Sequence, residues 1–251
     1  MSTCELPRTG LPQLPDPGSR AALLGRAAIL AAMAALGIGG YLSLALSGRL
    51  NPVSGVLSAS VYFGAGRWLL IAAVALLAVS GILLLLAWRA ASLPLTARAR
   101  TGLTLWVTGL VLVGLVPSDP TGTASTTAGL VHRDAGALFL SCLPLAGWEL
   151  RNGMRGDPRL LAGARRVGLV VLVAAVTAAT FGIGVLSEPA PGSRLPVTFP
   201  ADVRGLLERV AMVAEVAVVV LLARVAVDSS GRLRLTDRHL PVGALLEGGR
   251  R

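Results

Sequence analysis

The chain has no lysine, so each of its 23 basic residues is an arginine. With alanine, glycine, leucine, valine and proline abundant beside it, this bias reads as the coding habit of a GC-rich genome. Aromatic residues make up only 4%. The formal charge of +10 is therefore not read as a nucleic-acid surface, because no basic helix face is interleaved with stacking rings. Two cysteines, Cys4 in a polar stretch and Cys142 in an apolar one, exclude a disulfide framework and offer no metal-ligand spacing. Zinc-protease, nucleophile-elbow and acidic metal-cluster patterns are all missing, so no motif names a reaction and neither metal nor cofactor is expected. Charged residues are scarce as well, at 14%, against about a quarter in soluble domains.

What is present is apolar. Over 251 residues, 54% are hydrophobic, the mean hydropathy is +0.72, and the charges are clumped between long uncharged runs. That is the composition of a multi-span membrane protein. The expected fold is all-α, a polytopic bundle of six transmembrane helices over 21–228. A span needs roughly 17–25 residues. The segments fall near 21–46, 67–89, 102–117, 129–150, 166–187 and 205–227, the third being the shortest. Trp68 and Trp88 lie about 30 Å apart along the second segment, and their spacing predicts residues at the two interfaces. The proline-rich residues 1–20 read as a disordered tail and not as a signal peptide. Residues 229–251 read as a basic tail whose RLRLTDRH stretch touches lipid headgroups.

Arginine counts set the orientation. One set of connections holds Arg20, Arg26, Arg89, Arg98, Arg100, Arg151, Arg155, Arg159, Arg165, Arg166, Arg224, Arg232, Arg234 and Arg238. The other holds Arg49, Arg67, Arg133, Arg194 and Arg204. Both termini are therefore expected on the cytoplasmic side of the cell membrane. The loops 47–66, 116–134 and 188–204 then face outward, the last as a stiff lid or a plain connector. No internal repeat is visible, which weighs against an inverted-repeat transporter.

The polar stretch VPSDPTGTASTTAGLVHRD at 116–134 interrupts two apolar runs. Pro117 and Pro120 end the third helix, and Ser125, Thr126 or Thr127 caps the fourth. His132 lies about one turn into the fourth segment on the face of Gly129 and Gly136, whose small size admits a neighbouring helix. Asp134 points elsewhere and is expected to pair near the headgroups. In the sixth segment, Glu208 and Glu215 are seven positions apart and share a face. Glu215 lies near mid-span, where a carboxylate has to be protonated, paired or in contact with internal water. His132 and Glu208 enter from the same side at similar depth. With Asp119 above and Glu215 below, they predict an outward-facing polar pocket.

These residues carry a resemblance. Val116–Pro120 with Gly129 and His132 resembles the turn-plus-histidine signature of a six-span bacterial membrane family known as domain of unknown function 998. Leu206–Arg209 is similar to that family's last-helix start. In the first outer loop Ser58 matches the family's serine, while Ala59 stands where an aspartate is usual. The resemblance covers about 20–230 and implies the fold without supplying a reaction.

Three functions are weighed. In the preferred one, the pocket binds a membrane lipid or a small amphiphilic ligand, with Glu215, Ser58 and Asp134 as binding residues. In the second, His132, Asp119 and Glu208 are catalytic acid–base groups acting on a lipid or isoprenoid. In the third, Glu215 and His132 form a proton relay in a transporter.

Overall fold

The computed structural model describes residues 17–120, 123–186 and 201–238. Among them there are six long helices and no strand: α1 Pro17–Ala45, α2 Gly66–Ala90, α3 Ala97–Leu115, α4 Thr127–Met154, α5 Leu161–Leu186 and α6 Arg204–Arg238. A short 3-10 helix, Leu57–Tyr62, lies between α1 and α2. The 1–20 tail, with Cys4, lies outside the described residues up to position 16, and α1 opens at Pro17, whose fixed φ suits a first helical turn. The 229–251 tail is helical as far as Arg238 and outside the described residues beyond it. Most of the 188–204 loop, Thr121 and Gly122 are outside them too.

Four helices, at Gly18–Ala45, Gly66–Ala90, Leu161–Val185 and Arg204–Gly231, are long and apolar enough to cross a bilayer. The protein is in this respect a multi-pass membrane protein. Helix α3 is held to 19 residues and opens with Arg98 and Arg100. Helix α4 carries His132, Arg133 and Asp134 near one end and Glu149 and Arg151 near the other. Their ends are too polar to meet the same standard.

The helices form a ring in chain order, each packed on the next, and α6 closes it against α1 while also touching α2 and α4. Helix α6 thus sits deepest. Two indole hydrogen bonds fix it there. Trp88 of α2 donates Nε1–H to the Leu222 carbonyl at 3.1 Å, and Trp106 of α3 donates to Glu215 Oε2 at 3.0 Å. Trp88 is 0% exposed, which overturns its placement at an interface. Trp68, 70% exposed, faces outward as expected. At 100° per residue, twenty positions put the two tryptophans about 200° apart around α2, so one must face the ring's interior.

Candidate functional site

The end of the bundle that carries the 46–65 and 116–126 connections is built by caps. Thr126 is the N-cap of α4 and accepts the Gly129 amide at 3.1 Å. Asp119 holds that cap in turn: its Oδ2 accepts the Thr126 amide at 2.8 Å and its Oδ1 the Thr126 hydroxyl at 2.7 Å. The carboxylate lies so close to the helix backbone that a Cβ on Gly129 would overlap it. Glycine at 129 therefore leaves room for Asp119, and the close helix approach expected of it is an approach by a carboxylate. The Thr126 hydroxyl and amide, with a smaller contribution from His132, keep the Asp119 carboxyl below its ordinary 3.8.

The sign of the resulting pH dependence follows. A carboxyl with a folded value below its unfolded one stabilises fully above the unfolded value and loses that contribution as pH falls through the folded one. Thermal melts of the wild type are expected to show no contribution of Asp119 to pH dependence from neutrality down to 3.8, then an acid step below it. Asp119→Asn removes that step.

His132 is 9% exposed. Its Nδ1 is 2.7 Å from the Val116 carbonyl oxygen. A carbonyl only accepts, so Nδ1 carries the proton and Nε2 is left for another partner. Beside it, the Ser118 hydroxyl is buried without a hydrogen-bond partner among the described residues, while the Ser118 carbonyl accepts from the Tyr62 hydroxyl.

The first turn of α6 grips the first loop. Glu208 Oε2 accepts the Leu57 amide, with the Ser58 amide also turned to the carboxylate. It thereby caps the Leu57–Tyr62 turn. Leu206 donates its amide to the Val53 carbonyl at 2.8 Å, and Arg204 Nε donates to Ser54 at 3.2 Å. The Arg209 guanidinium donates to the carbonyls of Pro52, Gly55 and Gly205 and to the Ser43 hydroxyl, at 2.7–3.1 Å. Pro52 and Gly55 lie in a loop more than 150 residues away in sequence, and Ser43 in α1, so the guanidinium ties α6 to both. A Cβ on Gly205 would collide with Gly55 backbone, so this junction also needs glycine.

His132, Asp119, Glu208, Ser58 and Asp134 all line one cavity of about 1090 Å³. Asp134 stands at its rim, exposed and loosely paired with Arg133 at 3.8 Å. Glu215 is not part of this cavity. It is fully buried in the packed ring, bonded to Trp106, with its Oε1 unpartnered among the described residues. From the polar end the cavity continues as a groove between α4 and α5, past Gly136, Ser141 and Leu145 on one wall and Gly182, Ala178 and Leu172 on the other, to Trp148. The Arg151 guanidinium stacks 4.3 Å over the Trp148 ring there. The groove was not foreseen, although Gly136 and Gly182 are its sequence trace. A Cβ at either position meets nothing within 4 Å. Glycine inside a helix costs about 1 kcal/mol relative to alanine, and no packing among the described residues accounts for it here.

A family model described as "Protein of unknown function (DUF998)" matches residues 26–225. The chain belongs to that family. The match begins within α1, ends within α6 and takes in all the residues that line the cavity. No curated protein and no solved structure matches the chain.

Proposed function

We propose that this DUF998 protein is a six-span protein of the cell membrane, with both termini cytoplasmic, that binds a lipid or other amphiphile. The polar head would lie at the outward end beside His132, with the tail in the groove between α4 and α5. Support for six spans comes from α3 and α4 completing the ring beside the four apolar helices. Support for the orientation comes from the arginine excess at the opposite end of the bundle.

The observation that carries the binding reading is the union, in one cavity, of a polar end and an apolar groove open at its side. Leu145 and Leu172 on its two walls are 65% and 56% exposed, which gives a tail entry from the bilayer. Ligand sites are typically apolar with a few placed polar groups. Here those groups are the His132 ring and the Ser118, Ser58, Thr123 and Ser125 hydroxyls. Asp119 and Glu208 are already engaged with backbone amides, so they shape the site and are poor candidates for moving protons. An acid–base enzyme keeps one specific support, the His132 Nε2 freed by the Nδ1 bond to Val116. The relay reading loses its pairing, because Glu215 and His132 occupy different places.

The test is lipid retention by the purified full chain, read by native mass spectrometry. Wild type should hold a lipid through detergent extraction. His132→Ala and Gly182→Leu should each retain about ten-fold less, a difference of about 1.4 kcal/mol, while eluting as folded protein. Identical lipid content in all three folded proteins would dismiss the site.

A further inference from the structure

We infer that the occupant is a polyprenyl-type lipid, with one linear chain longer than a bilayer leaflet is deep; this rests on the amphiphile reading above. The groove is long. His132 and Trp148 are sixteen residues apart on α4, about 24 Å of helix. The hydrocarbon core is about 30 Å thick, so one leaflet supplies only about 15 Å. Ala175, on the facing wall, lies eleven residues from the end of α5, about 16 Å along that helix, which is about one leaflet's depth. Leu172 and Trp148 line the groove beyond that level. A tail confined to one leaflet fills the upper part and leaves the rest bare.

The lining itself fits one continuous hydrocarbon. Below Asp134 no charged residue lines the groove until its floor at Trp148, and the polar side chain on the way is Ser141. Small residues, Gly136, Ala137, Ala178, Ala179 and Gly182, share the upper walls with Phe139 and Phe181, and leave room beside the rings for a chain bearing methyl branches. The bilayer is already apolar, so a tail gains nothing from leaving water when it moves from lipid into the groove. The gain is close packing along its length. Selectivity therefore grows with the length of chain that the groove can hold. At the head end, His132 is nine-tenths buried with Nε2 uncommitted, and the Ser118 hydroxyl is unpartnered. Nε2 can accept from a hydroxyl or from the P–OH of a phosphate, and the Ser118 hydroxyl can donate to either head.

The experiment compares three probes on the full chain by native mass spectrometry: an eleven-isoprene polyprenyl phosphate, its three-isoprene analogue with the same head, and dioleoyl phosphatidylglycerol. The long chain is expected to bind about ten-fold more tightly than the short one. Ala175→Phe, which plugs the groove at that depth, should abolish that ratio and leave the short probe unaffected. Ser141→Phe, at an exposed position on the opposite wall, provides the same plug should the first variant misfold. Gly182→Leu should weaken both chains. Equal affinity for the two chain lengths, or a plug without effect, overturns the long-chain assignment alone. Displacement of the long chain by an equal amount of dioleoyl phosphatidylglycerol overturns it too and makes an ordinary membrane lipid the occupant. If Gly182→Leu also changes nothing, the amphiphile reading falls with it.

Discussion

Changing Trp106 to alanine should cost the bundle about 3–5 kcal/mol, the range seen when a buried tryptophan is truncated and the cavity cannot collapse. The indole is 0% exposed and fills the junction of α2, α3 and α6. Gly81 of α2 exists as its seat: a Cβ there would stand 2.5 Å from the ring. The polar half of the junction adds to the loss, because Glu215 has no other hydrogen-bond partner among the described residues. Without the indole, both carboxyl oxygens stay buried and unsatisfied, which costs about 1–3 kcal/mol where the group cannot reach water. Trp106→Phe separates the two effects, since it keeps most of the volume and deletes the donor. Glu215→Leu in that background removes the orphaned group and should restore much of the stability, because replacing both partners by apolar groups is close to neutral. Thermal or denaturant unfolding of the wild type, Trp106→Phe, Glu215→Leu and the double variant closes the cycle. If Trp106→Phe unfolds as the wild type does, the indole–carboxyl bond is not part of what holds α6.

The same junction shows what the sequence could and could not disclose. Glu215 stood out as a carboxylate in an apolar run that had to be protonated, paired or in contact with internal water, and its burial was legible from that run alone. Its partner was not, because Trp106 lies on another helix, 109 residues away, and nothing in either segment encodes the reach of the α3 indole to α6. Helix extents were legible wherever apolar runs met turn formers: 67–89 was expected against Gly66–Ala90 found, and 129–150 against Thr127–Met154. The start of α3 was placed late, at 102 instead of Ala97, because Arg98 and Arg100 read as loop. Long cationic side chains can occupy a helix end and still reach the headgroups. The capping of α4 was visible as a choice among three hydroxyls, and Asp119 settles it by bonding Thr126. The groove was hidden for a different reason. A void is defined by what two facing helices leave unfilled, and Gly136 or Gly182 alone looks like any other glycine in a glycine-rich chain.

Arg209→Ala should be nearly as damaging, and unlike the tryptophan change it should also reach the site. One guanidinium satisfies the Pro52, Gly55 and Gly205 carbonyls together with the Ser43 hydroxyl. Hydrogen bonds to a charged group contribute about 1.5–3 kcal/mol each and do not add in full, so a loss of about 3 kcal/mol is expected. The residue before it, Glu208, depends on the same loop, since Leu57 and Ser58 supply the amides that its carboxylate accepts. Releasing residues 51–55 lets those amides drift, and the wall of the cavity formed by Val56, Leu57 and Ser58 goes with them. Lipid retention should therefore fall together with stability. Arg209→Lys discriminates between charge and geometry. A single ammonium keeps the charge but cannot present the planar fork that reaches acceptors in several directions, so lysine should recover little of either property. Trp106→Phe supplies the control, being a destabilised protein whose lesion lies away from the cavity. If Arg209→Lys matches the wild type in both melting and lipid retention, α6 does not hold the 46–65 connection through this fork. If Arg209→Ala loses stability but keeps its lipid, the loop grip and the site are independent.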